Sequence, residues 1–335
     1  MQIYLTLAKI LKENDVTELG LLYDLIPQQE LSRKEYYPFV LVESRLGIPI
    51  PILSTAIKEA HEHYTKISKQ DYSKIEQVTR IMILLKPDNY TAMNKRKELM
   101  ASKHIHPDDE IRLLNLVFTI PKHSKSAVAW YHRQWIVTNY DCVQVQNEMK
   151  LCEMTCCFYK RNYYSWSYRF WILSRHQQEH TLVEKEYRTM LSWCELNISD
   201  YSGFHYLEQI MNLMNWKLCL IDQHMKWLNN LTIKFPGHES IWCHRRYCSN
   251  LYYTKDFCIS QHQFVWDILN DKYMEQALEM TRLDEQRQFA LKFGLWLSIL
   301  EKRRCHDQYA SIIDSRLLYM YRKTTPDSTL LDRQG

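Results

Sequence analysis

The sequence contains very little glycine. It has 6 glycines in 335 residues, where average usage would give roughly 23. No two of them are close neighbours in the chain. Dinucleotide-binding loops and P-loops need several glycines within a few residues, because backbone amides must approach phosphates closely, so both motifs are excluded. Tight β-hairpin turns also favour glycine, so the scarcity favours a helical protein.

The sequence also lacks a strong excess of one charge and any long apolar run. The 43 Lys and Arg residues against 39 Asp and Glu leave a formal net charge of +4, which does not indicate binding to nucleic acid or to an anionic membrane. The best apolar run, IMILL at 81–85, is far shorter than the roughly 18 residues of a membrane-spanning helix. The N-terminal segment has lysines within its apolar stretch and no small-residue cleavage site, unlike a signal peptide.

No disulfide or metal-binding pattern of the Cys-x-x-Cys type occurs among the 10 cysteines. With no secretory leader, this usage predicts reduced thiols and a cytoplasmic protein.

What the sequence does contain is a motif repeated five times. Each copy has a bulky anchor residue followed three positions later by Arg or a substitute, and Asn-Tyr or a related pair opens it. The copies are NYTAMNKR (89–96), SAVAWYHR (126–133), NYYSWSYR (162–169), DYSGFHYL (200–207) and HESIWCHR (238–245). The anchors are Met93, Trp130, Trp166, Phe204 and Trp242, separated by 37, 36, 38 and 38 residues. Spacing this even indicates a repeat protein.

A second helical pattern lies between the anchors. Ile75, Val78, Met82 and Leu85 fall on one helical face that ends before Pro87. Each repeat is therefore predicted to be a hairpin of two helices, with the motif at the start of the second helix. The Asn, Ser or Asp four positions before an anchor suits a helix N-cap. The predicted fold is all-α, a right-handed α-α superhelix (a crescent solenoid) of about five hairpins with helical caps.

The predicted organisation has four parts. An N-terminal cap segment covers 1–69, the repeats cover 70–262, a C-terminal helical cap covers 263–325, and a flexible tail covers 326–335. Pro49 and Pro51 are expected to break any helix in the first part, leaving a short N-terminal helix, an extended segment and a helix from about Ser54 to Ile67.

The anchors and arginines are interpreted as structural. Residues three apart on a helix lie on adjacent turns of one face, so the anchor can wedge between helices while the guanidinium reaches a neighbouring repeat. These positions are Met93, Arg96, Trp130, Arg133, Trp166, Arg169, Phe204, Trp242 and Arg245. Two copies depart from the pattern, because Met93 replaces the first Trp and Leu207 stands in place of the fourth Arg. The second departure removes an ion pair, which predicts a loosened fourth repeat or a different neighbour there.

The pattern Asn-Tyr-x-small-Trp-x-x-Arg at this period resembles the repeat of protein prenyltransferase alpha subunits, over about residues 70–250. It looks closest to the orphan branch of that family, the prenyltransferase alpha-subunit repeat-containing proteins. The resemblance implies an alpha-type subunit that wraps around a zinc-bearing beta subunit, here that of Rab geranylgeranyltransferase. It further implies that the heterodimer attaches a geranylgeranyl group to a C-terminal-region cysteine of vesicle-traffic proteins of the Rab or SNARE type.

The resemblance also implies roles for particular residues. Arg161 stands where catalytic family members carry a Lys that reaches the diphosphate, and Tyr163 follows it at the same interface. Asn162, Asp200 and Tyr201 occupy the neighbouring partner-binding positions. Arg161 is equally interpretable as a solvated cation at the start of a helix.

No metal site or cofactor is expected in this chain. Cys152, Cys156 and Cys157 share one helical segment without partner histidines and are interpreted as core thiols. His176 and His180 lie four apart, but the intervening sequence does not match a metalloprotease helix, so they are interpreted as surface histidines. The family resemblance instead places the catalytic zinc on the beta subunit, with geranylgeranyl diphosphate as the co-substrate.

Three alternatives stay open at this stage. The chain could be a helical-repeat scaffold with no enzymatic partner, or the alpha chain of the ordinary Rab geranylgeranyltransferase. Binding of single-stranded RNA through the aromatic residues is a weaker third alternative, since the near-neutral charge would not attract a polyanion.

Overall fold

The computed structural model describes residues 2–214, 218–305 and 315–321. The chain divides into two compact units, Met1–Arg175 and His176–Gly335.

The first unit contains eight helices and three short strands among its described residues. The helices are α1 (Ile3–Glu13), α2 (Ile50–Lys66), α3 (Tyr72–Leu85), α4 (Tyr90–Ala101), α5 (Pro107–Val117), α6 (Ala127–Asn139), α7 (Val145–Phe158) and α8 (Tyr163–Arg175). The strands are β1 (Glu18–Leu22), β2 (Val40–Val42) and β3 (Arg45–Pro49). Helices α3 and α4, α5 and α6, and α7 and α8 pack as hairpins, and the second helices α4, α6 and α8 pack side by side.

The second unit is also built from hairpins of two helices. Its helices are α9 (His180–Leu196), α10 (Tyr201–Leu213), α11 (Leu218–Lys234), α12 (Glu239–Leu251), α13 (Lys255–Leu269) and α14 (Leu283–Cys305), and 315–321 is also helical. Helices α9 and α10, α11 and α12, and α13 and α14 form hairpins, and α12 packs on both α10 and α14. The predicted all-α class built from helical hairpins is confirmed.

The N-cap residues predicted from the motif are present in four of the five copies. The side chain of Asn89 accepts a hydrogen bond from the Ala92 amide at 3.0 Å, and that of Ser126 accepts one from Ala129 at 3.1 Å. Asn162 and Asp200 act in the same way at the starts of α8 and α10. His238, at the start of α12, makes no side-chain cap bond. The cap positions therefore fix where the second helices begin.

The N-terminal segment differs from the prediction. The expected extended stretch is a three-stranded sheet in which β3 lies in the middle, parallel to β1 and antiparallel to β2. The following helix begins at Ile50 rather than near Ser54. Pro51 lies in its first turn, where the missing amide costs no helical hydrogen bond, so this proline starts the helix instead of breaking it.

The C-terminal region is helical, as expected, and it adds a further hairpin. Phe264 and Ile268 lie in a core with Trp242 and Phe293. Leu278 is exposed and lies in the segment between α13 and α14, outside both helices. The predicted flexible tail, 326–335, lies outside the described residues. Within the described part of the chain, no helix has both the length and the apolar character needed to cross a bilayer.

Candidate functional site

The five anchors are core residues, each at most 3% exposed. Trp130 shows how an anchor works: its ring stacks on Phe118 with centroids 4.2 Å apart, and its indole N–H donates to the Ser124 carbonyl at 2.7 Å. Its ring also lies 4.9 Å from that of Tyr168 on the next second helix. The anchor therefore joins the two helices of its own hairpin to the following repeat.

Two motif arginines form buried ion pairs with an acid on the next first helix. Arg96 Nη2 donates to Glu110 Oε2 at 2.6 Å, and Arg133 donates from Nε and Nη2 to the two oxygens of Glu148 at 2.7 Å each. Burial alone would raise the pKa of Glu110, but the Arg96 charge and a hydrogen bond from His132 outweigh it and hold the pKa at about 2. Glu110 is therefore ionised inside the core.

The other two motif arginines also donate hydrogen bonds to uncharged oxygens. Arg245 donates to Gln261 Oε1 and Asn229 Oδ1, both at 2.7 Å, and burial lowers the pKa of its guanidinium to about 9. Arg169 Nη1 donates to the Met149 carbonyl at 2.6 Å.

The acid that pairs with these arginines belongs to a repeating position that the motif analysis missed. Glu110, Glu148 and Glu186 are 38 residues apart, and the next step of 38 reaches His224. Each of these four is buried and contacts the residue just before the motif Arg position on a second helix: these partners are His132, Tyr168, Tyr206 and His244, in the same order. The 38-residue spacing of three glutamates was the available signal.

The fourth repeat loses both members of the ion pair together. Leu207 replaces the arginine and is fully buried, while His224 replaces the acid one step along the chain. Neither a cation nor an acid is left uncompensated. On α11 the structure has a buried histidine at the position where the preceding repeats carry a glutamate.

The proposed diphosphate residues lie at the junction of α7 and α8. Arg161 is exposed, with a φ of 59°, and Tyr163 is the first residue of α8 with 62% of its surface exposed. Asn162 between them points the other way: it is fully buried, and its amide donates to the Ser124 carbonyl at 2.9 Å. Asn162 thus ties two repeats together inside the chain rather than presenting its side chain to a partner.

The two residues predicted for partner binding in the fourth copy also differ in exposure. Asp200 is buried and caps α10 by accepting from the amides of Ser202 and Gly203. Tyr201 is 39% exposed, and its hydroxyl donates to Glu239 Oε2 at 2.7 Å. Of this pair, Tyr201 is the one that a partner could reach.

The cysteines and histidines singled out in the sequence do not come together. Cys152 and Cys156 are buried and Cys157 is exposed, and burial raises the pKa of the Cys152 thiol to about 12. His176 pairs with Glu179 at 2.8 Å, and His180 is exposed.

A different set of such residues does come together, in the second unit. His224 on α11 and His244 and Cys248 on α12 are all buried, with their nitrogen and sulfur atoms within 4.8 Å of one another. Burial lowers the pKa of His244 to about 3, aided by the Arg245 charge, and lowers that of His224 well below its ordinary value. Burial also raises the pKa of the Cys248 thiol. No sequence pattern predicted that these three residues lie together, because His224 is on α11, which carries no copy of the motif.

Comparison with known proteins matches the hairpins to one repeat family. The model of the protein prenyltransferase alpha subunit repeat matches residues 145–176, 183–214 and 221–252. These segments overlap the hairpins of α7 and α8, α9 and α10, and α11 and α12.

Several curated proteins are similar over most of this chain. Protein prenyltransferase alpha subunit repeat-containing protein 1 of Danio rerio is 25% identical over 71% of this chain and 69% of its own length. The protein of that name from Homo sapiens is 24% identical over 86% of this chain and 93% of its own length. Geranylgeranyl transferase type-2 subunit alpha of Dictyostelium discoideum is 29% identical, over 29% of this chain and 33% of its own length. The resemblance predicted from the five motifs is confirmed: three segments of this chain match the prenyltransferase alpha subunit repeat, and the chain is similar to the repeat-containing proteins named for it.

Proposed function

We propose that this chain is the alpha-type subunit of a heterodimeric protein geranylgeranyltransferase. Its partner is a zinc-bearing beta subunit, that of Rab geranylgeranyltransferase, and the product is a geranylgeranyl thioether on a cysteine of a vesicle-traffic protein. The repeats and the partial similarity to a geranylgeranyl transferase alpha subunit support this proposal. The proposed place of action is the cytoplasm, where thiols stay reduced.

The observation that carries the proposal is a set of exposed tyrosines at the starts of second helices. Tyr90 begins α4 and is 67% exposed, and Tyr163 begins α8 and is 62% exposed. Tyr201 holds the same position at the start of α10 in the second unit. Tyrosine is enriched in protein interfaces because its ring is apolar and its hydroxyl can form hydrogen bonds. Within the first unit, a partner subunit that contacts the starts of α4 and α8 would cover the rings of Tyr90 and Tyr163.

Within that interface, Arg161 is proposed to contact the diphosphate of the lipid substrate. Thioether formation needs a thiolate nucleophile, which zinc on the beta subunit supplies when bound, and a stabilised diphosphate leaving group. A guanidinium can donate two hydrogen bonds to phosphate oxygens and keeps its charge throughout the reaction. Arg161 is exposed beside Lys160, so two cationic side chains lie at the start of α8.

The first test is co-expression of the chain with the beta subunit of Rab geranylgeranyltransferase, followed by size-exclusion chromatography. The proposal predicts a stoichiometric heterodimer that Tyr163→Ala weakens. Tyr23→Ala is the matched control, because Tyr23 is 87% exposed and lies outside the repeats. If the chain elutes alone beside an unpaired beta subunit, the pairing is refuted, and a non-enzymatic scaffold or a different partner would account for the exposed tyrosines.

A further inference from the structure

The buried cluster of His224, His244 and Cys248 has the donor set of a transition-metal site. The residues expose 1%, 0% and 0% of their surfaces, and two imidazoles with one thiol are ligands that zinc binds well. His244 and Cys248 are one helical turn apart on α12, and His224 faces them from α11.

The distances between the donor atoms are close to those that a tetrahedral ion requires. Zn–N bonds of about 2.0–2.1 Å and a Zn–S bond of about 2.3 Å place nitrogen and sulfur roughly 3.6 Å apart and two nitrogens roughly 3.3 Å apart. Cys248 Sγ lies 3.7 Å from His244 Nε2, which already fits. The two Nε2 atoms are 2.8 Å apart, so they would separate by roughly half an ångström to admit the ion.

The outer nitrogen of each imidazole is held as it would be in a metal site. His244 Nδ1 lies 3.0 Å from Glu208 Oε1, and His224 Nδ1 lies 2.8 Å from the Tyr187 hydroxyl. Metal-binding histidines typically donate their second N–H to a carboxylate or another oxygen, which fixes the ring with the free nitrogen toward the ion. Here both Nε2 atoms are directed at the same point, next to the thiol.

The position of the cluster in the repeat gives it a structural purpose. At the equivalent places in the first unit, Arg96 with Glu110 and Arg133 with Glu148 link neighbouring helices through buried ion pairs. In the fourth repeat Leu207 and His224 remove both charges. A cation held by His224, His244 and Cys248 would return a positive charge to this position and would link α11 to α12.

We propose that His224, His244 and Cys248 bind one Zn²⁺ ion through two Nε2 atoms and the thiolate sulfur. Three protein ligands leave a tetrahedral ion one position for water. Binding replaces the thiol proton: the S–H bond breaks, a Zn–S bond forms, and the proton passes to solvent, with no change in oxidation state. The proton shared between the two Nε2 atoms moves to the Nδ1 of its own ring, which leaves both Nε2 lone pairs for the ion. This site is separate from the zinc proposed for the beta subunit and is independent of whether that subunit binds.

The test uses the full chain alone, so that no partner contributes metal. The chain is treated with a chelator and then titrated with Co²⁺, which reports tetrahedral thiolate ligation by visible bands and a near-ultraviolet charge-transfer band. We expect one Co²⁺ per chain, complete displacement by one Zn²⁺, and a rise in thermal midpoint on adding Zn²⁺. Cys248→Ser should abolish the charge-transfer band and weaken binding at least tenfold. Cys152→Ser is the matched control, a buried cysteine in the other unit, and should bind as the wild type does.

Two results would overturn the proposal. One is wild-type chain that binds no stoichiometric Co²⁺ or Zn²⁺ and whose thermal midpoint is unchanged by either. The other is binding that Cys248→Ser leaves intact, which would place the metal elsewhere. If Cys248→Ser fails to fold, His224→Gln provides the second variant, and the wild-type midpoint with and without Zn²⁺ still decides the question.

Discussion

At the scale of single residues, the buried charges of the motif matter most. A buried arginine that is paired with a buried acid depends on it, because removing one member leaves an uncompensated charge. Arg96 is paired in this way with Glu110 on α5, and it also donates to the carbonyl of Glu76 on α3. The arginine thereby links three helices of the first unit.

Replacing Arg96 with methionine should destabilise the first unit by about 3–5 kcal/mol, because Glu110 then lies buried without its cation. The double variant Arg96→Met/Glu110→Gln should recover part of that loss. Urea unfolding of the variants checks this. Arg112→Met is the control, since the ion pair of Arg112 with Asp109 is at the surface and should contribute less than about 1 kcal/mol. Equal effects of the Arg96 and Arg112 replacements would contradict the account.

The same pair predicts how stability changes with pH. The pKa of Glu110 is about 2 in the folded chain, below its value of about 4.3 in an unfolded chain. The stabilisation is therefore complete above about pH 5 and is lost as the pH falls toward 2, by about 2 kcal/mol at pH 3. Urea midpoints measured from pH 6 to pH 3 should fall more steeply for the wild type than for Glu110→Gln; parallel slopes would count against an ionised Glu110.

The sequence motif identified the arginines of the buried ion pairs but not the acids that pair with them. The arginines are visible because they stand three residues after a bulky anchor, and the structure buries Arg96, Arg133, Arg169 and Arg245. Their acidic partners were not identified, because a glutamate on an amphipathic helix is usually on the solvated face. Only the 38-residue spacing of Glu110, Glu148 and Glu186 distinguishes them from surface residues.

At the scale of helices and strands, the cap residues join neighbouring repeats as well as starting a helix. Asn162 accepts from the Ser165 amide within its own turn and donates to Ser124 of the preceding repeat. Ser126 likewise donates to Asp88, at 2.5 Å, ahead of the preceding second helix. Such a residue couples the start of one second helix to the start of the one before it.

Asn162→Ala should therefore cost about 2 kcal/mol, the sum of a lost cap and a lost buried hydrogen bond of about 1 kcal/mol each, because the Ser124 carbonyl still accepts from the Trp130 indole. Asn139→Ala is the control, because the Asn139 side chain bonds the Trp135 carbonyl at an exposed helix end. The free energies of unfolding in urea should differ clearly between the two variants. A value for Asn162→Ala within about 0.5 kcal/mol of the value for the control variant would show that the cap adds nothing beyond its own helix.

The small sheet could not be foreseen from glycine content. Scarcity of glycine was evidence against β-structure, yet two of the six glycines pair with each other in the sheet, Gly20 on β1 with Gly47 on β3. A Cβ on Gly47 would come within 2.8 Å of the Leu22 side chain. A Cβ on Gly20 would meet nothing within 4 Å. Both glycines lie within strands rather than in tight turns, so they leave no turn signature in the sequence.

At the scale of the whole molecule, the proposed enzyme has two subunits: this helical chain and a beta subunit that carries the zinc. The candidate contribution of this chain to the reaction is a cation, Arg161, held at the start of α8 beside the exposed ring of Tyr163. The resemblance identified this segment, and the structure adds that Asn162 is buried while its two neighbours are exposed. Which residues of a motif face outward depends on packing between repeats, which the motif letters alone do not specify.

In the assembled heterodimer, Arg161→Ala should lower the rate of lipid transfer about ten- to a hundredfold, because one donor to the leaving group is lost. Assembly should be unaffected, and Arg161→Lys should restore part of the rate because a cation is retained. Single-turnover transfer rates check this. Arg175→Ala is the control at the other end of α8, where Arg175 lies over the Trp171 ring. An Arg161→Ala rate equal to that of the control would remove Arg161 from the reaction.

The most direct test of the central claim is a transfer assay read by intact mass. The purified chain and the Rab geranylgeranyltransferase beta subunit are combined with geranylgeranyl diphosphate and a Rab or SNARE-type protein bearing a C-terminal-region cysteine. The account predicts that the substrate gains one geranylgeranyl group only when both chains are present, and that Cys→Ser in the substrate abolishes the gain. A heterodimer that transfers no lipid to any such substrate, or transfer by the beta subunit at the same rate without this chain, would contradict it.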